Sequence, residues 1–344
     1  MRASYPMALK KSFAPKLAAC FDTRADGITS RPMASEGYPG EGKGGGTIPG
    51  TDLPAFELRQ PIGAPIPVLI AAPHAGRVYP AALTARMRHP ADAALRLEDR
   101  HVDSLARGIA EATGAALLVA QAPRAMVDLN RAPDDMDWSM IAGGNAGGAR
   151  HSLANRRARS GLGVVPRRLA GLGEIWRGTM PRDEFDARIA LIHAPYHAAL
   201  ARALERLRDQ WGAALLIDLH SMPPLGSPGG RQPAPEFVIG DRFGASCDRG
   251  LVSTAFTFLE AQSRVAAHNR PYAGGYVLDR HAAPARGIHA LQLEICRSSY
   301  LDARFAETSV RASAVIRTVA GLVRALAGEV ANLGGARTTP LAAE

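Results

Sequence analysis

Short apolar runs alternate with stretches in which apolar residues recur every three or four positions, and this alternation fills the middle of the chain. The runs at 67–72, 115–120, 213–219, 236–240 and 288–295 predict β-strands, and 125–129 predicts a short or edge strand. Residues 183–210 give the clearest helix. Ile189, Ile192, Tyr196, Leu200, Leu204 and Leu207 fall on one face, with Pro181 near the start and Gly212 after the end. Pro195 lacks an N–H and is expected to kink this helix. Helices are also expected at 103–113, stopping at Gly114, and at 308–327. The alternation implies an α/β domain with a mixed, mostly parallel sheet and helices on both faces.

The ends of the chain break the pattern. Residues 1–50 mix lysine, Ser and Pro with the run Gly44-Gly45-Gly46 and read as a disordered extension. The stretch from Met7 to Cys20 lacks the apolar centre and cleavage site of an export signal. Residues 51–332 are expected to form a single domain. Within it, 131–180 is rich in Gly, Asp and Arg and reads as an insertion or lid, while 333–344 reads as a loose tail.

Composition changes this picture little. With 344 residues, 47% hydrophobic and 21% charged, the chain has the balance of an ordinary soluble enzyme. No run approaches the ~20 apolar residues that span a bilayer. Cys20, Cys247 and Cys296 are scattered and odd in number, which reads as reduced thiols in a cytoplasmic protein. The net charge of +9 raises an alternative outside enzymes, a basic nucleic-acid-binding protein using 150–168, where Arg156-Arg157-Ala158-Arg159 and Arg167-Arg168 are dense. Elsewhere arginines are interleaved with acids, as at Arg202, Glu205, Arg206, Arg208 and Asp209. A solvated, arginine-rich surface is the favoured account.

Two predicted strands run into a histidine. Leu216-Ile217-Asp218-Leu219-His220-Ser221-Met222-Pro223 and Val68-Leu69-Ile70-Ala71-Ala72-Pro73-His74-Ala75-Gly76 both pass from an apolar run to a loop. A histidine so placed aims its ring into the crevice beyond the sheet's carboxyl edge. Two such rings and a carboxylate suit a zinc ion that keeps a position for water. The segment Glu98-Asp99-Arg100-His101-Val102-Asp103 supplies the acid. Asp99 is preferred, with Asp103 as a helix cap or supporting acid, and Glu98 remains a third candidate. Glu294 interrupts the apolar strand Leu291-Gln292-Leu293-Glu294-Ile295. It is the candidate general base, against a salt bridge to Arg297 as the bland explanation. Asn130-Arg131 offers a planar fork for a carboxylate, or else a simple turn. No Gly-x-Ser-x-Gly elbow, dinucleotide fingerprint or Walker loop follows a strand.

In order along residues 55–330, the chain resembles the N-formylglutamate amidohydrolase family, itself similar to the zinc carboxypeptidases and aspartoacylases. The matching pieces are Pro73-His74-Ala75-Gly76 with Tyr79-Pro80, Asp99 to Asp103, Asp128-Leu129-Asn130-Arg131 and Pro195-Tyr196-His197. Further along come Asp218 to Pro223, Asn269-Arg270-Pro271-Tyr272-Ala273-Gly274-Gly275, and Ala290 to Arg297 with Tyr300.

The resemblance implies a phosphorylase/hydrolase-like α/β fold around one zinc ion. It implies hydrolysis of the N-formyl or other N-acyl amide of an acidic amino acid, typically N-formyl-L-glutamate to formate and L-glutamate in histidine breakdown. His74 and His220 match the expected metal histidines, Glu294 the place where the cousin peptidases keep their catalytic glutamate, and Asn130-Arg131 the pair that binds the substrate α-carboxylate in those cousins. Arg297 and Arg270 are further candidates for substrate carboxylates, Tyr272 with Gly274-Gly275 for the pocket wall, and His197 for a supporting or simply buried role. Two departures stand out. The cousin peptidases carry a glutamate ligand three residues after the first histidine, where this chain has Arg77, so Asp99 is expected to supply the carboxylate. The basic stretch 145–168 bears on the acyl group and side chain accepted. The alternative within enzymes is a zinc amidase or carboxypeptidase acting on peptides or peptidoglycan fragments.

Overall fold

The apolar runs pair into an eight-stranded sheet in the computed structural model, which describes residues 42–144, 156–227 and 233–338. The strand order is β1 (Lys43–Gly45), β2 (Phe56–Arg59), β4 (Ala116–Ala120), β3 (Val68–Ala72), β7 (Ala214–Met222), β10 (Ile288–Cys296), β8 (Phe237–Gly240) and β9 (Ala266–His268). Strands β4, β3, β7 and β10 are parallel. β2 runs antiparallel to β4, and β8 antiparallel to β10. The four central strands are buried along their whole lengths, which is why they read as unbroken apolar runs.

Pleating sorts their residues onto two faces. On one face Val68, Ile70, Leu215, Ile217, Leu291 and Leu293 pack with α3 (Val102–Thr113), α7 (Arg249–Ala261) and α9 (Ala312–Thr338). On the other, Leu69, Ala71, Leu216 and Ala290 pack with α6 (Ala194–Trp211) through Tyr196, Leu200 and Leu204. Toward the carboxyl ends of β7 and β10, the two-residue period carries this second face from Leu216 to Asp218 and His220. The same period leads from Ala290 to Gln292 and Glu294. The core therefore gives way to a buried polar patch at one end of one face.

The structure departs from expectation in several places. Strand β1 lies inside the segment read as an extension: Lys43, Gly44 and Gly45 pair with Leu58, Glu57 and Phe56, and Ile48 is fully buried. Residues 1–41 of that segment lie outside the described residues. The run 125–129 is not a strand. The N–H groups of Met126 and Val127 turn back to the Pro123 carbonyl, and Asp128 donates to Val164 of the insertion. It is apolar because it is buried, not because it is paired.

Pro195, where a kink is expected, follows a distorted turn, and the helix runs on through it. α5 (Arg182–Arg188) runs into a π turn at Ile189–His193, where the Ala194 N–H reaches back to Ile189, and α6 follows directly. The widened turn absorbs the proline ring. Helix α9 starts later than expected and continues through Gly334 to Thr338. A side chain at Gly334 would strike the Trp211 carbonyl at 1.9 Å, so glycine lets the helix pass the end of α6.

Within 131–180 the chain forms α4 (Arg156–Arg159) and a hairpin of β5 (Arg168–Leu169) and β6 (Gly173–Glu174), and buries Met136, Val164, Val165 and Trp176 in the core. Residues 145–155 of this insertion and 339–344 of the tail lie outside the described residues. Among the described residues, no helix is long and apolar enough to cross a membrane.

Candidate active site

Three buried side chains from separate segments meet at the carboxyl ends of β3 and β7: His74 just past β3, Asp99 in the turn before α3, and His220 within β7. One potential ligand atom from each lies within 4.8 Å of the others. Asp99 Oδ2 is 3.0 Å from His220 Nδ1 and 3.5 Å from His74 Nδ1. The Asp99 N–H donates to the His74 carbonyl at 3.0 Å, which fixes the backbone. Its other oxygen, Oδ1, accepts from the Ser221 hydroxyl at 3.3 Å and from Arg297 Nη2 at 3.4 Å.

Each imidazole is gripped from behind by a further carboxylate. His74 Nε2 lies 2.7 Å from Asp128 Oδ1, and His220 Nε2 lies 2.9 Å from Asp218 Oδ2. Both Nε2 atoms therefore donate, which assigns the Nδ1 atoms to face Asp99. His74 Nδ1 is buried with no hydrogen-bond partner among the described residues. An orphaned polar atom in a dry site is costly, and a metal ion would satisfy it. Ligands about 2.0–2.1 Å from a tetrahedral zinc lie roughly 3.3 Å from one another, a value bracketed by the 3.0 and 3.5 Å separations. The donor set and the carboxylates behind it fit zinc.

The electrostatics agree with a cation here. Burial works against charge on His220, yet Asp218, Asp99 and Glu294 outweigh it and raise its pKa well above the ordinary value. Burial likewise opposes charge on Asp99, but His220 and His74 hold its carboxyl well below the usual range. A proton on His220 and a divalent ion are alternative ways to balance the same carboxylates.

Glu294 stands beside His220 in the strand register, and Gln292 beside Asp218. Burial raises the Glu294 pKa to about 7; His220 lowers it, while Asp99 and Asp218 add to the rise. Gln292 Nε2 donates to Glu294 Oε1 at 2.8 Å. The salt bridge weighed between Glu294 and Arg297 does not form, because Arg297 turns to the Glu98 carbonyl at 2.6 Å and to Asp99.

These groups line a cleft of about 510 Å³ that also receives five arginines: Arg96, Arg124, Arg131, Arg157 and Arg297. Arg124, which sequence reasoning overlooked, donates from Nε to Asp128 Oδ2 at 2.8 Å. An arginine within an otherwise apolar stretch was the available signal. Arg131 is anchored by Nε to the Leu162 carbonyl at 3.0 Å and by Nη1 to the Asn130 carbonyl at 2.6 Å.

Asn130 lines the cleft but is more occupied than a free substrate contact would be. Its Oδ1 accepts from the Val277 N–H of α8 (Tyr276–His281) at 2.9 Å, and its Nδ2, close to the His220 ring, faces the acceptors Gln292 Oε1 at 3.4 Å and Asp218 Oδ2 at 3.5 Å. Tyr272 lines the cleft as expected. Arg270 does not: it is exposed and outside the lining, although Pro271 and Tyr272, which follow it, belong to the lining. The other acidic candidates are also drawn elsewhere. Asp103 takes both ends of Arg77 at 2.9 Å, and Glu98 pairs with Arg100 at 3.0 Å.

The N-formylglutamate amidohydrolase family model matches residues 66–301. The chain is 33% identical over 245 residues to the N-formylglutamate deformylase of Pseudomonas putida, spanning 69% of this chain and 82% of that protein. It is 32% identical over 247 residues to the N-formylglutamate deformylase of Pseudomonas aeruginosa, spanning 69% and 83%. The crystal structure of N-formylglutamate amidohydrolase from Ralstonia eutropha JMP134 superposes with a TM-score of 0.71 at 31% identity, covering 80% of this chain and 98% of that one. A gene product of Agrobacterium tumefaciens shares the fold at a TM-score of 0.55 and 18% identity, covering 80% and 96%. The expected mixed, mostly parallel α/β architecture is the one found, and the chain, an amidohydrolase, belongs to the N-formylglutamate amidohydrolase family.

Proposed function

We propose that this protein hydrolyses N-formyl-L-glutamate to formate and L-glutamate, with one zinc ion held by His74, Asp99 and His220. The observation that carries the reading is the unpartnered His74 Nδ1, which faces Asp99 beside His220 at the foot of an arginine-lined cleft. When bound, zinc polarises a carbonyl and lowers the pKa of a water to about 7.

The protein's own groups supply the rest. Glu294, buried beside His220 in the strand register, accepts a proton as the water oxygen adds to the formyl carbon. It returns that proton to the amide nitrogen as the C–N bond breaks. Gln292 holds one Glu294 oxygen in place. Arg124, fixed by Asp128, faces the cleft where the carbonyl oxygen gains negative charge. Arg131 takes the α-carboxylate, supported by Asn130, and Arg297 adds positive charge for the side-chain carboxylate beside Tyr272. Among the described residues, the arginines lining the cleft outnumber its acids Asp99 and Glu294 even with Arg124 paired to Asp128, which favours a substrate with two negative charges. The buried free thiols of Cys247 and Cys296 are in keeping with a cytoplasmic setting.

Formate release is the test. It is measured with N-formyl-L-glutamate and N-formyl-L-leucine, with free amine released from N-acetyl-L-glutamate as the acyl-group control, before and after chelation and zinc readdition. N-formyl-L-glutamate is expected to be preferred, its turnover lost to chelator and restored by zinc. Glu294→Gln is expected to keep zinc and lose turnover. Activity indifferent to chelation, or full turnover by Glu294→Gln, overturns the reading.

A further inference from the structure

Behind the cleft, three histidines form a row for which the hydrolytic step has no use. His193 lies in the π turn, His197 one turn further along α6, and His281 at the end of α8; all are buried. The His193 and His197 rings are 4.4 Å apart, and His197 stacks on His281 at 5.2 Å with 15° between the planes. Polar rings so deeply placed cost free energy unless their nitrogens are used.

They are turned toward the loop that carries Arg131. His193 Nε2 lies 2.9 Å from the Arg131 carbonyl, so it must be the donor. His197 Nδ1 and His281 Nε2 are hydrogen-bonded at 2.9 Å, one ring donating and the other accepting. The remaining His197 nitrogen has no hydrogen-bond partner among the described residues. The preceding carbonyl, that of Asn130, accepts from Arg131 itself at 2.6 Å. The Asn130 and Arg131 carbonyls are thus met by the arginine whose direction they set and by the first ring of the row. Burial lowers the pKa of all three rings, that of His281 to about 3, so the row stays neutral at physiological pH.

We propose that His193, backed by His197 and His281, is a positioning residue that aims Arg131 at the substrate α-carboxylate. This rests on the role given to Arg131 above. His193 touches no reacting atom; its effect falls on recognition of one carboxylate and leaves the chemical step alone.

The experiment compares kcat and KM of the zinc-loaded enzyme for N-formyl-L-glutamate and for N-formyl-L-isoglutamine, in which that carboxylate is an amide. His193→Phe keeps a ring and removes the donor; His193→Leu replaces it if the phenylalanine variant does not fold. Leaving the buried Arg131 carbonyl without a donor is expected to raise KM for N-formyl-L-glutamate about 10-fold, with kcat within about 2-fold. The isoglutamine substrate is expected to be turned over as by the wild type. His193→Gln, which keeps an N–H, is expected to recover most of the KM.

Equal losses on both substrates, a fall in kcat alone, or no change overturn the inference. Arg131→Ala separates the two claims. If Arg131→Ala loses discrimination between the substrates and His193→Phe does not, only the positioning role falls. If Arg131→Ala keeps it, the reading of Arg131 falls as well.

Discussion

His74 and Asp128 meet at 2.7 Å through Nε2 and Oδ1, and this one hydrogen bond decides which nitrogen of His74 faces Asp99. The other Asp128 oxygen holds Arg124 at 2.8 Å, so a single buried carboxylate orients a candidate metal ligand and a candidate oxyanion donor. Asp128→Asn removes the negative charge from both partners. Its zinc affinity is expected to fall roughly 10–100-fold, with a smaller fall for N-formyl-L-glutamate turnover measured at saturating zinc. Competition against a chromogenic chelator reads the affinity directly. Asp218→Asn, acting on His220, is expected to behave alike. Unchanged affinity in both would mean that packing alone holds the rings.

Asp99 and Asp103 sit four residues apart, yet only Asp99 faces the histidines. Asp103 is spent on Arg77 in a partly exposed pair, with side-chain exposures of 31% for Arg77 and 20% for Asp103. Asp99→Ala is expected to lose stoichiometric zinc. Asp103→Ala is expected to keep it and to lose about 1 kcal/mol of stability or less. Elemental analysis of the purified variants distinguishes them; zinc lost from Asp103→Ala and kept by Asp99→Ala would reverse the assignment.

The sequence made part of this site readable. His74, His220 and Glu294 each end or interrupt a buried apolar strand, and a polar residue there stands out. The same two-residue period that exposes Glu294 also points to Gln292, and that of His220 to Asp218. Arg124 left one signal, a charge in an apolar stretch, but its pairing with Asp128 was not readable, because that segment looks like a strand and the partner is reached only through a turn. The choice between Asp99 and Asp103 depended on where α3 begins. His101, with φ of 57°, sets that boundary, and apolar periodicity cannot. Arg270 was misplaced because closeness to Tyr272 in sequence does not reveal which side chains line the cleft. Lys43-Gly44-Gly45 carries no pattern of its own, and its order comes from pairing with β2.

Gly275 leaves room that Asn130 fills. A Cβ at residue 275 would lie 2.5 Å from Asn130 Oδ1, the atom that accepts from Val277. Gly275→Ala must therefore push Asn130 off α8 and away from His220. With one buried hydrogen bond lost, kcat/KM is expected to fall about 10-fold or more. Zinc content should stay near one per chain, since no ligand is touched. A variant with wild-type kcat/KM would show that Asn130 has slack and that its contacts with the histidine and α8 do not matter to turnover.

Glu294 binds its proton more tightly in the folded protein than in the unfolded chain, with a pKa of about 7 against an ordinary 4.5, chiefly because it is buried. A carboxyl raised in this way favours folding fully below its unfolded pKa. That contribution is lost as pH rises through the folded value. Glu294→Gln has no such proton to lose. In chelator-treated protein, the variant should therefore gain on the wild type between pH 5 and pH 8, by up to about 3 kcal/mol at 1.36 kcal/mol per pKa unit. Urea midpoints at the two pH values measure the gain. Zinc favours the ionised carboxylate, so the same comparison on zinc-loaded protein should show a smaller difference. A gap between variant and wild type that does not change with pH would mean that Glu294 ionises like an exposed glutamate, and a base tuned to neutrality would have to be sought elsewhere in the cleft.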